Sequence, residues 1–345
     1  MSPCAVLETY DSFEPLSLAR VFQSCNSATR FLQNLPCSNS FHPRTEYVIR
    51  KAMAPLDAPF QVLVHPYHAP ERGTCAYELG DPSSKNAIIF IGGLGDGPHS
   101  TPYIRVVAKH LEDARELDYS VFEIRLRSSF IGYGTSSLEE DVEGISALVK
   151  YLRSIGRKKI VLFGHSTGCQ DCMEYTDYAR HNNEPVDGFV LQAPVSDREG
   201  LESVYSDYQA SIDLASQRIA EGRANDCLPS DKVPPMLAVP MTAYRLHSLC
   251  AKGGDDDYFS SDLDAEKVSR FWGRFKEPVL VLHSGKDEFV PGHIDQEALN
   301  KRYRDTNPLV SSLSGLIPET GHTVLGDEAR QWLAQRLTEF LRTLA

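Results

Sequence analysis

The chain has 345 residues, of which 41% are hydrophobic, and its formal net charge is −12 at pH 7. This acidic surplus argues against a nucleic-acid partner, because phosphate backbones are bound mainly by Lys and Arg side chains. No apolar run approaches the roughly 20 residues of a membrane-spanning helix, so no membrane association is expected.

Targeting and redox signals are also missing from the sequence. The N-terminal residues 1–15 contain no apolar stretch of the kind found in secretory signals, so we expect a cytoplasmic protein. The eight cysteines are then expected to be reduced thiols. Cys169 and Cys172 have redox-motif spacing, but no second Cys or His pair has ligand spacing, and we expect no metal and no cofactor.

Strand-like apolar runs and helical patterns alternate from residue 60 onward, after an N-terminal extension (1–59) whose function is not readable. This alternation predicts a mostly parallel sheet with helices on both faces. Two opening strands, 61–65 and 75–79, are predicted to pair antiparallel. The other strands are predicted at residues 86–91, 119–126, 160–163, 186–195, 278–283 and 313–317.

The segment Gly164-His165-Ser166-Thr167-Gly168 joins a predicted buried strand to a predicted helix over 170–179. Gly-x-Ser-x-Gly in this position is typical of a nucleophile elbow, a sharp turn that raises the serine hydroxyl above the sheet. Such a turn needs small neighbours, which Gly164 and Gly168 supply. A plain Gly/Ser turn is the alternative, so the interpretation depends on partner residues elsewhere.

Residues 196–276 interrupt the strand–helix alternation between two strands. An insertion of this length is too large for an ordinary loop, which predicts a cap over the site. The core domain is then residues 60–195 together with 277–345. The cap contains helical stretches within 199–223 and the acidic run Asp255-Asp256-Asp257, for which a solvated turn is expected.

Ser166, Asp287 and His322 each follow a predicted strand, and they occur in the order that Ser-Asp-His hydrolases of the α/β class use. A neutral imidazole can take the serine proton near pH 7. A carboxylate can hold the second imidazole nitrogen in one tautomer. These three residues are therefore the predicted catalytic triad.

The acid of the triad has two other candidates. Asp197 follows a neighbouring strand, and Glu288 lies on the same loop as Asp287. Two further histidines, His165 within the elbow and His283 at a strand end, are expected to be structural.

The predicted oxyanion hole consists of two backbone N–H groups, those of Thr167, next to the nucleophile, and of Leu94, in the Gly92–Gly97 loop. A flexible crossover is the alternative role for that Gly-rich loop. Ligands of open α/β sheets bind where the strands end. The candidate substrate-binding residues on loops at this edge are Asp96, Ser129 and Tyr133.

Four motifs together resemble a known family: Gly92-Gly93-Leu94-Gly95-Asp96-Gly97, Arg127-Ser128-Ser129 with Tyr133-Gly134, Gly164 to Asp171, and Gln192 to Arg198. They are similar to the fungal α/β-hydrolase family of the siderophore esterases, formerly grouped as a domain of unknown function. The resemblance covers residues 60–345. It implies the α/β-hydrolase fold, a mostly parallel eight-stranded sheet with helices on both faces and a cap insertion.

The function that this resemblance implies is a serine carboxylic ester hydrolase of the cytoplasm. Its partner would be a small-molecule ester, a ferric hydroxamate siderophore such as fusarinine C, whose hydrolysis releases iron. Fusarinine C carries free amino groups, which the run Asp255–Asp257 is expected to attract. A ligand-binding receptor with little turnover and an acyltransferase remain open alternatives, and the oligomeric state cannot be read from the sequence.

Overall fold

The computed structural model describes residues 58–71, 73–237 and 239–344. The predicted N-terminal extension therefore lies outside the described residues, apart from its last two positions. Within the described residues, eight strands form one sheet in the order β1-β2-β4-β3-β5-β6-β7-β8. The strands are β1 Leu63–Pro66, β2 Cys75–Leu79, β3 Asn86–Ile91, β4 Tyr119–Ile124, β5 Ile160–His165, β6 Gly188–Gln192, β7 Val279–Ser284 and β8 Gly315–Ile317.

Strand β2 pairs antiparallel with β1 and with β4, and every other neighbouring pair in this sheet is parallel. The parallel strands read as continuous apolar runs because helices cover both of their faces. Strand β5 shows this most clearly, since each of its six residues is buried. The predicted mostly parallel, eight-stranded sheet is confirmed.

Helices cover the two faces of the sheet. The helices are α1 Tyr103–Asp113, α2 Leu138–Ser154, α3 Gly168–Tyr175, α4 Tyr178–His181, α5 Asp197–Val204, α6 Tyr208–Ala220, α7 Ala243–Cys250, α8 Ala265–Trp272, α9 Gln296–Thr306 and α10 Asp327–Thr343. On one face, Leu111 of α1 and Leu337 of α10 pack in a common core with the sheet. On the other face, Leu148 of α2, Met173 of α3 and Trp272 of α8 do the same.

The segment between β6 and β7 contains four helices, α5 to α8. Leu201, Ile212 and Leu246, from α5, α6 and α7, pack in an apolar cluster of their own, which Tyr133 of the core domain joins. The helical stretches predicted within 199–223 correspond to the two helices α5 and α6, and α5 ends where Tyr205 takes an extended backbone (φ −122°, ψ 108°). The bounds of the cap, 196–276, stay a prediction.

The register of the parallel strands brings their C-terminal ends to one edge of the sheet. Ile91 pairs with Gly164, and His165 pairs with Gln192. Gln192 in turn pairs with Leu282, near the end of β7. The segments that follow β3, β5, β6 and β7 therefore leave the sheet at a common edge.

In the described part of the chain, no helix combines the length and the apolar composition needed to cross a bilayer.

Candidate active site

Ser166 occupies the turn between β5 and α3. Its φ of 52° lies in the left-handed region, which costs a non-glycine residue energy and occurs where the surrounding structure enforces it. The two motif glycines allow this turn. A Cβ on Gly164 would lie 2.2 Å from the Gly168 carbonyl oxygen, and one on Gly168 would lie 2.3 Å from the Ile91 carbonyl oxygen. The strand, turn and helix of the motif thus pack too tightly for any side chain at either position.

The Gly-rich loop after β3 lies against Ser166. A Cβ on Gly93 would stand 2.7 Å from the Ser166 Cβ and 3.2 Å from its Oγ. The Gly93 N–H donates to Asp96 Oδ2 at 2.8 Å, and the Ser100 hydroxyl donates to Asp96 Oδ1 at 2.9 Å. Asp96, a predicted substrate-binding residue, therefore braces the loop that contacts the serine.

Substitution Gly93→Ala is expected to lower esterase kcat/KM by about 10- to 100-fold, because the new methyl group displaces Ser166 or the loop by a sizeable fraction of an ångström. Overpacking of this kind also costs about 1–3 kcal/mol of unfolding free energy. Initial rates and urea unfolding measure the two effects. Gly292→Ala is the matched control, since a Cβ there meets nothing within 4 Å. Equal activity of the two variants would contradict the prediction.

Asp287 and His322 are hydrogen-bonded to each other. Asp287 follows β7, His322 follows β8, and the distance between His322 Nδ1 and Asp287 Oδ2 is 2.8 Å. Both residues are buried, with 8% and 5% of their surface exposed. The Glu288 carboxylate accepts the backbone N–H of His322 at 2.9 Å, and the Phe289 ring packs edge-on against the imidazole with 4.8 Å between centroids. The loop after β7 therefore fixes both the backbone and the ring of His322.

Gln192, which the sequence reasoning did not single out as a site residue, connects the serine turn to the histidine loop. Its backbone carbonyl accepts the Ser166 N–H at 3.0 Å, and its side-chain amide donates to the His322 carbonyl at 3.4 Å. The oxygen of the Gln192 side-chain amide lies 2.6 Å from His165 Nδ1. A polar residue that ends a fully buried apolar strand was the signal that could have indicated it.

The two alternative acids have other partners. Asp197 begins α5, and its carboxylate accepts the Gln170 amide at 2.7 Å. Burial, the largest effect, and the charge of Asp256 raise the Asp197 pKa to about 7, although Arg245 and His322 lower it. Glu288 bonds to the main chain of His322 and not to its ring. Only Asp287, among these three carboxylates, is hydrogen-bonded to the imidazole within the described residues.

The other two histidines lie deep in the core. His165 and His283 are buried, and burial lowers the pKa of each to about 4. The His165 ring lies 5.0 Å from the His322 ring, centroid to centroid. His165 and His283 are therefore neutral at physiological pH. Their burial is compatible with the structural role that was expected.

The remaining predicted site residues lie around the serine turn. Thr167 directly precedes α3, and Leu94 packs against the apolar cluster of helices α5 to α7. In the described part of the chain, neither backbone N–H donates to a protein acceptor. The Ser129 hydroxyl accepts the Leu126 N–H at 3.0 Å. Tyr133 is buried between the Gly-rich loop and the apolar cluster of α5 to α7. The other two candidate substrate-binding residues, Asp96 and Ser129, also support their own loops.

A family described as "Protein of unknown function (DUF1749)" matches residues 53–342. The chain belongs to this family. Among curated proteins, a UPF0613 protein of Schizosaccharomyces pombe is 35% identical over 284 residues, which cover 75% of this chain and 88% of that protein. The fusarinine C esterase sidJ of Aspergillus fumigatus is 29% identical over 331 residues, which cover 79% of this chain and 93% of the relative.

A solved structure supports the same relationship. The siderophore hydrolase EstB from Aspergillus fumigatus superposes with a TM-score of 0.71 at 27% identity, covering 84% of this chain and 99% of that one. These findings confirm the resemblance drawn from the motifs and the α/β-hydrolase fold. They also show that this DUF1749 member is an enzyme of the hydrolase class, with esterases among its relatives.

The acidic run of this DUF1749 chain is not the solvated turn that was expected. Asp256 and Asp257 are buried, at 3% and 7% exposure. Asp256 pairs with Arg245 at 2.6 Å, and Asp257 lies 3.5 Å from Arg198. Asp255 accepts the Tyr244 hydroxyl at 2.6 Å. Arg245 and Arg198 neutralise the two buried carboxylates, which leaves Asp255 as the one exposed aspartate of the run.

Substitution Arg245→Met is expected to destabilise the protein by about 3–5 kcal/mol, because it leaves the buried Asp256 carboxylate without its cation. Urea unfolding measures this change. Arg223→Met is the matched control: its pair with Asp226 is about half exposed, and loss of such a pair costs less than about 1 kcal/mol. Similar losses for the two variants would contradict the prediction.

Metal ligands do not cluster in this site. Over the residues that the structure describes, no three His, Cys, Asp or Glu side chains are grouped so that they could hold a metal ion. Cys169 and Cys172 are free, buried thiols, and burial raises the pKa of both well above the usual range. The Cys169 thiol donates to the Gly164 and Gln192 carbonyls, which gives it a packing role beneath the elbow.

Proposed function

We propose that this protein is a serine esterase in which Ser166, His322 and Asp287 form the catalytic triad. The observation that carries the proposal is the 2.8 Å bond between His322 Nδ1 and Asp287 Oδ2, on a loop that Gln192 hydrogen-bonds to the turn of Ser166, whose φ is 52°. The bond orients the imidazole so that Nε2 is the nitrogen free to act as a base. Strain at the serine is typical of a nucleophile presented on an elbow.

The chemistry follows from these groups. His322 takes the Ser166 proton as the serine oxygen attacks the ester carbonyl, and the Asp287 carboxylate stabilises the imidazolium that forms. The Leu94 and Thr167 N–H groups, which donate to no other group in the described chain, are the proposed donors to the oxyanion. His322 then protonates the leaving alcohol. Water, deprotonated by the same imidazole, attacks the acyl-enzyme and releases the acid.

The proposed substrate is an ester of a hydroxamate siderophore such as fusarinine C, hydrolysed in the cytoplasm so that iron is released. This part of the proposal is supported by the two relatives that are named for siderophore chemistry, at 29% and 27% identity. Residues 196–276 are proposed to act as the cap that selects the substrate. Asp96, Ser129 and Tyr133 are proposed to face it from the loops of the core domain.

The deciding experiment incubates the purified protein with ferric fusarinine C and, separately, with simple ethyl esters, and follows the products by mass spectrometry. Hydrolysis of both would support the whole proposal, and hydrolysis of the ethyl esters alone would remove the siderophore. Binding of the siderophore without products would favour a receptor. Adding an alcohol tests the remaining alternative, because an acyltransferase would form the new ester in preference to the acid.

A further inference from the structure

A buried polar cluster adjoins the proposed nucleophile and is not used by the mechanism. Its members are four carboxylates and one guanidinium, whose charges act on one another: Asp141, Asp171, Asp197, Asp256 and Arg245. The guanidinium bonds directly to Asp256, so three of the four carboxylates lack a cation of their own within the described chain. Buried carboxylates are costly unless they are paired or protonated.

Protonation of two of these carboxylates reduces the negative charge of the cluster. Burial, the largest effect in each case, raises the pKa of Asp141 to about 6 and holds the pKa of Asp171 well above its usual range. Both residues are only 3% exposed. These two carboxyls are therefore enclosed groups that can stay neutral without a ligand. Asp197 differs from them because it is half-buried and remains in contact with solvent.

Three polar side chains at the start of α3 have unpartnered oxygens. Gln170 and Asp171 lie three and four residues after Thr167, the residue that precedes the helix, which places each of them next to Thr167. Their side-chain oxygens Thr167 Oγ1, Gln170 Oε1 and Asp171 Oδ1 are buried, and in the described structure none has a hydrogen-bond partner. Buried acceptors are nearly always satisfied. The Gln170 carbonyl oxygen, which can only accept, therefore lacks a donor.

Asp197 interacts both with a residue of α3 and with the proposed catalytic histidine. Its carboxylate accepts the Gln170 amide at 2.7 Å, and the same amide carries one of the unpartnered oxygens. The charge of His322 also acts on Asp197. A group bound at Asp197 would thus be near both α3 and the proposed catalytic imidazole.

We propose that Asp197, with the carbonyl oxygen of Gln170, binds a primary ammonium group of the substrate close to the ester that Ser166 attacks. Asp141 and Asp171 can be neutral, so Asp197 is the carboxylate that still lacks a positive charge. The Gln170 oxygen beside it lacks a hydrogen-bond donor. An ammonium group provides both, since it carries three N–H donors and a full charge. A metal ion fits less well, because the described His, Cys, Asp and Glu side chains form no metal-binding group. This inference rests on the proposed esterase function and names a determinant of its specificity.

The separation between Ser166 and Gln170 determines the length of the test substrate. Gln170 lies in the first turn of α3, which begins two residues after Ser166, so a separation of about 6 Å is expected between the two residues. Ethyl 6-aminohexanoate can span that distance between its carbonyl carbon and its ammonium group. Ethyl heptanoate is the neutral ester of nearly the same shape, with a methyl group in place of the ammonium. The measured quantity is the ratio of kcat/KM for the amino ester to kcat/KM for the neutral one.

The Asp197→Asn substitution is expected to lower this ratio by about 10- to 100-fold at about pH 8, the usual worth of a charge-assisted hydrogen bond. Glu202→Gln, on the exposed side of the same helix, removes one negative charge outside the cluster and is expected to leave the ratio unchanged. A ratio that does not respond to Asp197→Asn overturns the inference. So does an equal fall for Glu202→Gln, which would indicate a general charge effect.

The pH profile separates recognition from a structural role. Asp197, whose pKa burial raises to about 7, is neutral below that pH and anionic above it. The ratio should therefore rise between about pH 6 and about pH 8 in the wild-type protein and stay flat in Asp197→Asn. The groups that interact with Asp197 are Gln170, Asp256, Arg245, His322 and the thiols of Cys169 and Cys250, whose pKa burial raises well above the usual range. Titration of His322 affects both esters equally and cancels in the ratio.

A binding measurement tests the ammonium site independently of turnover. Calorimetry with ethyl 6-aminohexanoate on the Ser166→Ala protein, with and without Asp197→Asn, measures recognition in the absence of reaction. Binding that is about 10- to 100-fold weaker with Asp197→Asn supports the ammonium site even if wild-type protein hydrolyses neither ester, and in that case only the proposed function fails. No change in binding overturns the site, whatever the activity.

Discussion

The Ser166→Ala protein is expected to fold normally and to lose esterase turnover almost completely, with kcat lower by roughly 10⁴- to 10⁶-fold. The reason is chemical: alanine has no oxygen to form the acyl-enzyme, and in the proposed mechanism the imidazole and the oxyanion donors act on an attack by the serine Oγ. Stability should change little, since alanine keeps the Cβ against which Gly93 packs. Initial rates on a chromogenic ester and a thermal melt measure the two quantities.

Ser203→Ala is the control for this experiment. Ser203 is an exposed residue of α5 whose hydroxyl bonds only to the carbonyl of Gly200, so its loss should not affect turnover. A burst of acyl-enzyme in the wild-type protein, absent from Ser166→Ala, would add positive evidence for the covalent step. Turnover of Ser166→Ala within about tenfold of wild type would show that another group performs the reaction, and the triad proposal would be wrong.

Most of the sheet could be predicted from the sequence, because central parallel strands read as apolar runs. Strand β3, at Asn86–Ile91, was predicted to the residue, and β5 contains the predicted run that ends at the elbow. Helix α9 was not predicted. Its sequence, QEALNKRYRDT, holds few apolar residues, and it is anchored instead by a buried Tyr303 and a buried Asn300. A helix whose apolar face is one or two side chains wide gives no clear periodicity.

The site was predictable only in part, for a related reason. The elbow is a local feature, and the need for glycine at Gly164 and Gly168 follows from the turn itself. The partners of the acidic run are not local. Arg245 and Arg198 reach Asp256 and Asp257 from other helices, so the sequence shows the charges but not their neutralisation. The same limit applied to the acid of the triad, because Asp197 and Asp287 both follow strands at the same edge.

Asp287→Asn is expected to lower kcat by about 10³- to 10⁴-fold while leaving substrate binding nearly unchanged. The asparagine side chain is nearly the same size as the aspartate that it replaces, so the loop after β7 should keep its shape. Its amide, however, carries no charge to stabilise the imidazolium. Where its NH₂ group faces Nδ1, it also favours the tautomer in which Nε2 holds a proton and cannot act as a base. Steady-state kinetics on ethyl heptanoate give kcat and KM separately.

Comparison with Asp197→Asn distinguishes the two carboxylates by the kind of change each produces. Loss of the Asp287 charge acts on the imidazole, which every substrate uses, so turnover of charged and neutral esters should fall together. Loss of the Asp197 charge should instead shift the preference between them, because that carboxylate bonds to Gln170 and not to the ring of His322. Asp305→Asn, in an exposed pair with Lys301, controls for the removal of a surface carboxylate. If Asp287→Asn kept nearly full kcat while Asp197→Asn lost it for both esters, Asp197 would be the acid of the triad, and the 2.8 Å bond at Asp287 would serve only to hold the loop.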